Sequence, residues 1–285
     1  VVVHVLYTKE EFNISAEKIN TQLAVLNADF RKANADQVKI PGEFVSLAAD
    51  AGIEFILADK DPAGHTTNGI IRVATPVDGW NGNNPSGNIP VEDLKLFHTE
   101  DGGSDAWPAD RYLNIWVAEM SDPAGALGLA GYSSYPGADA QIDGVIIDPR
   151  AFGTVGPLTP GHTLGRTATH EIGHWLNLVH IFGEFDGCGA TDFVDDTPSA
   201  STRYFGSPTY PQISCGHSNM FMNFMDYVDD EAMYLFTKGQ RERMRKVFAV
   251  GGQRHELYKC IHDKNSKNQG RPPGDYQVAG ANTGG

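Results

Sequence analysis

The stretch His170-Glu171-Ile172-Gly173-His174-Trp175-Leu176-Asn177-Leu178-Val179-His180 constrains this chain more than any other. On a helix, residues four apart share a face, so His170 and His174 present two imidazoles to one point in space. His180 lies six residues past His174, out of reach if the helix simply continues. The helix therefore has to end near Asn177 and the chain has to reverse. Asn is, after Gly, the residue that most readily takes the left-handed conformation closing a helix. Three imidazoles meeting at one point, with a fourth position left for water, form the donor set of a catalytic zinc ion. Glu171 is not needed as a ligand and stands where a general base is wanted. Leu164, Ala168, Ile172 and Trp175 fall on one side of a helix spanning 163–176, with the two histidines pointing away from that side.

These residues resemble the extended zinc signature of the metzincin metalloproteases. Continued through Ile181 and Phe182, they resemble the pappalysin (cytophagalysin) branch in particular. That family usually has Gly where this chain has Asn177. Asn223-Phe224-Met225-Asp226-Tyr227 is similar to the family's Met-turn, which implies Met225 as an apolar floor beneath the three histidines. Tyr227 then lies where several metzincins keep a phenol that donates to the oxyanion. The opening Val1–Tyr7, with Asn13-Ile14-Ser15 and Leu26–Arg31, resembles the start of pappalysin-type catalytic domains.

The resemblance implies an α/β fold: a twisted, mostly parallel sheet with an antiparallel edge strand, a backing helix and an active-site helix. It also implies a smaller irregular lower subdomain ending in a helix. The division expected is 1–180 for the upper part and 181–262 for the lower, with 263–285 a flexible tail or linker.

Length and composition are compatible with this. A chain of 285 residues is long enough for one large domain or two modest ones. No apolar run approaches the ~18 residues that span a bilayer. A formal charge of -14 argues against nucleic acid or anionic membrane as partner and weakly favours cationic peptides. The same charge also reads as the solubility of a secreted protein. The chain opens at Val1 without a Met or signal segment, which reads as a processed form.

Along the chain, Val1–Tyr7 reads as a buried strand, and Ser15 caps a helix whose core face is Ile19, Leu23, Leu26 and Phe30. Lys18, Asn20 and Gln22 fall on its polar side. Ile53–Leu57, Ile70–Ala74, Tyr112–Ala118, Leu127–Tyr132 and Gly144–Ile147 are strand candidates, and 78–90 is an irregular loop. His4 alternates with apolar neighbours and reads as structural. The edge strand near a metzincin cleft pairs with extended substrate. The stretch Leu127–Gly131, with Gly128, Leu129 and Ala130 at its centre, is the candidate here, because Gly permits close backbone approach; a glycine loop without a partner is the alternative. Thr237–Val250 reads as a helix with Met244, Val247 and Phe248 inward and Arg241, Arg243 and Arg245 outward.

Three cysteines leave one unpaired. Cys188 and Cys215 flank the segment after the histidine stretch; the family resemblance supports their pairing, with free thiols or Cys ligation as the alternative. Asp186, Asp192, Asp195 and Asp196 lie in a loop rich in Gly, Thr and Pro. Through Asp192–Pro198 the resemblance implies structural calcium, carried onto Asp192, Asp195 and Thr197, where a solvated acidic loop is the plain alternative. Asp229, Asp230 and Glu231 follow the Met-turn-like segment. By resemblance they stand at the pocket for the residue after the scissile bond, where a carboxylate favours Arg or Lys.

The expected function is a secreted zinc endopeptidase acting on proteins or peptides, with no nucleic-acid or membrane partner; a monomer is favoured, the oligomeric state being left open. Two rivals stand beside it. One is a zinc hydrolase with Glu184 as third ligand; the other is a non-catalytic module using the metal as a staple. His65, His98, His162, His217, His255 and His262 have no ligand spacing and read as surface or core residues. Asn13-Ile14-Ser15 is a glycosylation sequon.

Overall fold

β1 (Val2–Tyr7) is the apolar run expected at the N-terminus, and it lies inside the sheet because both its faces are covered. The computed structural model describes residues 1–77, 79–80, 94–120 and 127–260. Most of the expected 78–90 loop, the 263–285 tail and His262 lie outside the described residues. After β1 come α1 (Ala16–Phe30), the single turn α2 (Gly42–Val45), β2 (Ile70–Ala74), β3 (Asn114–Val117), β4 (Gly131–Ser133) and β5 (Gly144–Ile147). The helix α3 (Arg166–Trp175), which carries His170 and His174, a short hairpin β6 (Ile213–Ser214) and β7 (His217–Ser218), and α4 (Lys238–Lys246) follow, and residues 255–260 are helical as well.

Among the described residues the main sheet has strand order β2-β1-β3-β5-β4. The first three pairings are parallel, while β4 runs antiparallel to β5 at the edge. This is the mostly parallel sheet with an antiparallel edge that the α/β reading expects. Side chains alternate between its faces. Val3, Val5, Ile115, Val117, Val145 and Ile147 join the cluster under α1 and α3, whereas Leu6, Trp116 and Ile146 join the cluster with Trp80, Leu94 and Phe97. His4 is fully buried between Ser104 Oγ (2.8 Å) and Asn114 Oδ1 (3.1 Å), and burial holds its pKa down at about 4. It is a structural histidine.

α1 begins as expected, with Ser15 Oγ accepting from Lys18 N at 3.1 Å. Ile19, Leu23, Leu26 and Phe30 are buried. Lys18 and Gln22 differ from the expected polar face, for both are buried too. Lys18 Nζ donates to Pro157 O (3.0 Å), and Gln22 takes Gly153 N (2.7 Å) while giving to Gly165 O (2.8 Å). The segment leading into α3 lies over that side of α1, and the two polar ends serve its backbone.

Other expectations shift. Ile53–Leu57 forms no strand. Reciprocal bonds between Asn27 and the Phe55 backbone, and the bond from the Val1 amine to Ile56 O, pin it in place of a ladder. The weak strand begins at Gly131 rather than Leu127. Helix α3 starts at Arg166 rather than 163, because Gly165 at φ 74 breaks the helical path, and Leu164 lies outside it, partly exposed. α4 stops at Lys246 with Thr237 as its cap; a capping box joins Thr237 and Gln240.

Candidate metal centre

All ten residues of α3 are buried, the two histidines included. The sheet covers one side of the helix. On α1, Asp29 Oδ2 accepts from Thr169 Oγ1 at 2.8 Å. Arg166, in its first turn, donates to both oxygens of Asp36 at 2.5 and 2.9 Å and to Asp230 O at 2.8 Å. These polar clamps fix the helix axis, and with it the direction of His170 and His174.

The helix ends as the sequence requires. Asn177 takes φ 77; its N–H donates to His174 O at 2.8 Å, and Leu178 N–H donates to Gly173 O at 2.9 Å. Those two bonds are the Schellman pattern that closes a helix through a left-handed residue. The reversal brings His180 back onto the helix. His174 Nε2 then lies 3.1 Å from His170 Nε2 and 3.0 Å from His180 Nε2.

Three nitrogens around one zinc ion at the usual bond length would lie about 3.3 Å apart, so the spacing fits zinc. The donor chemistry fits as well. His170 Nδ1 donates to Phe224 O at 2.7 Å and His174 Nδ1 to Leu178 O at 2.8 Å, which turns both Nε2 lone pairs inward. Burial pushes His170 down to about 3 and His174 to about 4, and it lowers His180 further, so all three rings are neutral ligands at ordinary pH. Among the described residues no other set of three His, Cys, Asp or Glu side chains converges in this way.

Glu171 is buried beside the triad, and burial pushes it up to about 8. Its Cγ packs on the edge strand, where a β-carbon on Gly131 would stand 3.1 Å away. The glycine needed at this edge is thus Gly131, and it makes room for Glu171 itself. Gly128 and Leu129 both direct their N–H groups at Met120 O (3.0 and 3.4 Å), and Ala130 O accepts from Asp148 N at 2.9 Å, so these three residues lead into β4 rather than form it.

The Asn223–Tyr227 turn lies beneath the histidines. Met225 is fully buried, and its Sδ lies 2.4 Å from where a β-carbon on Gly173 would be. Asn223 accepts from Met225 N at 3.0 Å and exchanges two bonds with Gln240, tying the turn to the start of α4. The Tyr227 ring centroid is 4.7 Å from that of His180 and 5.7 Å from that of His170. Burial and the nearby carboxylates raise its phenol to about 12, so it stays a donor. His180 stacks on Phe182 at 4.9 Å.

Sequence reasoning misses Tyr135 and Arg243. Tyr135, two residues past β4, puts its Oη 3.1 Å from His174 Nδ1. A single Tyr ahead of a Pro carries no signal for that role. Arg243, expected outward, reaches Asn177 from α4.

The remaining candidates are scattered. Asp230 is interior, its Oδ2 accepting from Leu164 N (2.7 Å) and Arg166 N (3.2 Å). Asp229 is half-buried against Gly161, and Glu231 is exposed and accepts from Ser207 Oγ at 2.7 Å. Asp192 is buried and bonded to Thr197 Oγ1 at 2.7 Å, whereas Asp195 is exposed. Asp196 caps α4 through Thr237 Oγ1 and Gly239 N. Cys188 and Cys215 form a disulfide, and Cys260 is free. Glu184, the rival third ligand, is exposed, and its Oε1 lies 3.9 Å from the outer nitrogen of His180.

Three convergent histidines with a buried Glu beside them, set under a mostly parallel sheet with an antiparallel edge, form a donor set of the zinc type. The sequence profile of the peptidase M43 family, described as pregnancy-associated plasma protein-A, matches residues 98–249, just over half of the chain. The chain belongs to that family. Mature mirolysin of Tannerella forsythia, solved in complex with a cleaved peptide, is similar with a TM-score of 0.84 and 41% identity, covering 92% of this chain and 96% of that one. Mirolysin in complex with a small compound matches with a TM-score of 0.81 and 43% identity, covering 90% and 93%. An extracellular metalloprotease of Arthroderma benhamiae is 40% identical over 137 residues, 46% of this chain and 49% of the relative. One of Pyricularia oryzae is 39% identical over 131 residues, 43% and 44%. The chain thus spans about half the length of the curated relatives it matches.

Proposed function

We propose that this chain hydrolyses internal peptide bonds, with His170, His174 and His180 holding zinc and Glu171 as general base. The observation that carries the reading is the meeting of three Nε2 atoms at 3.0–3.1 Å with no fourth His, Cys, Asp or Glu closing the set among the described residues. A zinc ion held there supplies a Lewis acid and lowers the pKa of water toward ~7. Glu171 takes the proton of the attacking water and passes it to the leaving amine. Tyr227 donates to the oxyanion developing on the scissile carbonyl. Met225 forms the apolar floor of the site, in the role of a Met-turn residue.

Substrate lies extended along the free side of β4, in the manner implied by a relative solved with a cleaved peptide. A basic residue after the scissile bond is recognised by Asp229 or Glu231, since Asp230 is spent on backbone of the α3 entry. Secretion is proposed on the ground that several relatives are named extracellular. Calcium is proposed at the loop of Asp192, Asp195 and Thr197, supported by the buried carboxyl of Asp192, and a calcium-dependent rise in Tm tests it.

The deciding experiment is casein or peptide digestion by the wild type and by Glu171→Gln. The variant keeps its fold and its stoichiometric zinc and loses several orders of magnitude in activity. Retained cleavage would remove Glu171 from the mechanism. Zinc bound equally tightly after His180→Ala would remove the triad.

A further inference from the structure

Residues 177 and 178 govern two of the three histidines at once. Leu178 O accepts from His174 Nδ1 at 2.8 Å and so sets the rotation of that ring. Asn177, at φ 77, sets the path by which the chain reaches His180. A non-glycine residue in the left-handed region needs its neighbours to hold it there.

The neighbour that does so is Arg243. From α4, its Nε donates to Asn177 O at 2.5 Å and its Nη2 to Asn177 Oδ1 at 3.5 Å. The guanidinium carbon also lies 5.5 Å from the centroid of the Phe193 ring, which closes over it from the solvent side. A second arginine, Arg254, takes another carbonyl of the same helix end, donating through Nε to Trp175 O at 2.9 Å. Cations at a helix C-terminus satisfy carbonyls that have no partner within the helix and complement its dipole. Only Arg243, however, grips the residue at which the direction changes.

We infer that Arg243 is a positioning residue of the metal centre: its two-point hold on Asn177 fixes the reversal that delivers His180 and orients His174. The side-chain half of that hold exists because position 177 is Asn; a glycine there would present only the carbonyl. Arg243 and Asn177 therefore act as a pair. The assignment rests on the zinc site proposed above, but it concerns residues outside the convergent set of His170, His174 and His180.

The test measures zinc affinity of the folded apoprotein by competition with a chromophoric chelator, in the full chain. Arg243→Met keeps the stem against Phe193 and removes both bonds. It should weaken zinc binding about tenfold or more, the range seen when partners of metal ligands are lost. For a fluorogenic peptide, kcat should fall while KM stays within about twofold. Arg243→Lys, which keeps the charge and one donor, should recover part of the affinity. In an Asn177→Gly background, where the turn is relaxed without help, Arg243→Met should cost less than about threefold.

Equal losses in both backgrounds, or unchanged affinity in a folded Arg243→Met, would overturn the assignment. If Arg243→Met fails to fold, the Arg243→Lys comparison across the two backgrounds decides by the same criterion. Wild-type zinc binding is the control. Its absence would sink the proposed function and the assignment together, whereas normal wild-type binding with an indifferent Arg243 sinks the assignment alone.

Discussion

Gly173 and Met225 compete for one space: a β-carbon on Gly173 would stand 2.4 Å from Met225 Sδ and 3.6 Å from Leu178 Cδ1. The helix that carries the two histidines can lie this close to the Asn223–Tyr227 turn only because position 173 has no side chain. Gly173→Ala should force the sulfur or the helix aside, at about 1–3 kcal/mol of overpacking. Thermal unfolding checks this, with a Tm lower by at least a few degrees. An unchanged Tm would mean that the turn yields freely and is no rigid floor.

The two phenols near the triad should separate by readout. Tyr135 Oη lies 3.1 Å from the outer nitrogen of His174, so Tyr135→Phe is expected to weaken zinc binding by up to about tenfold. Tyr227 lies beside the rings of His170 and His180, and as oxyanion donor its loss is expected to cost about 10²–10³ in kcat with zinc affinity nearly unchanged. Parallel affinity and kinetic measurements on both variants decide. A kcat loss confined to Tyr135→Phe would exchange the two roles.

Asp226 gives a pH dependence of known sign. It is fully buried, its Oδ1 accepts from Tyr204 N and Tyr227 N, and its Oδ2 has no partner among the described residues. Burial pushes it up to about 7, against about 3.9 in an unfolded chain. Between those values the folded state keeps a proton that the unfolded state has lost, so stability falls as pH rises through about 4 to 7. Asp226→Asn keeps the accepting oxygen and cannot ionise. Its stability relative to wild type should therefore improve between pH 5 and pH 8, by about 1–3 kcal/mol. Urea unfolding at the two pH values measures the gap; a constant gap would show that Asp226 is not the titrating group.

The disulfide should matter for stability and little for the metal. Cys188 and Cys215 close a 27-residue separation that begins after His180. Replacing both by Ser should cost roughly 3–4 kcal/mol through the freed loop. Zinc affinity near the wild-type value is expected, because the triad is held by α3, the reversal and the Asn223–Tyr227 turn. Loss of zinc binding in a still-folded variant would place the loop in the metal centre.

Local sequence determined the elements whose formation depends on near neighbours. The apolar run 2–7, the Ser15 cap, the strand at 144–147, the i, i+4 pair of His170 and His174, and a left-handed Asn177 all follow from propensity and spacing within a few residues. Family resemblance added the Cys188–Cys215 pairing. What the tertiary structure alone decided are the contacts between segments far apart in the chain. Lys18 and Gln22 are buried because a segment 131 to 139 residues on crosses α1, Asp230 turns inward to meet the α3 entry, and Arg243 leaves the solvent face of α4 to hold Asn177. A polar side chain at a helix surface has the same local signature whether it meets water or another segment's backbone. Which of the two it meets depends on how distant elements pack, and periodicity holds no record of that.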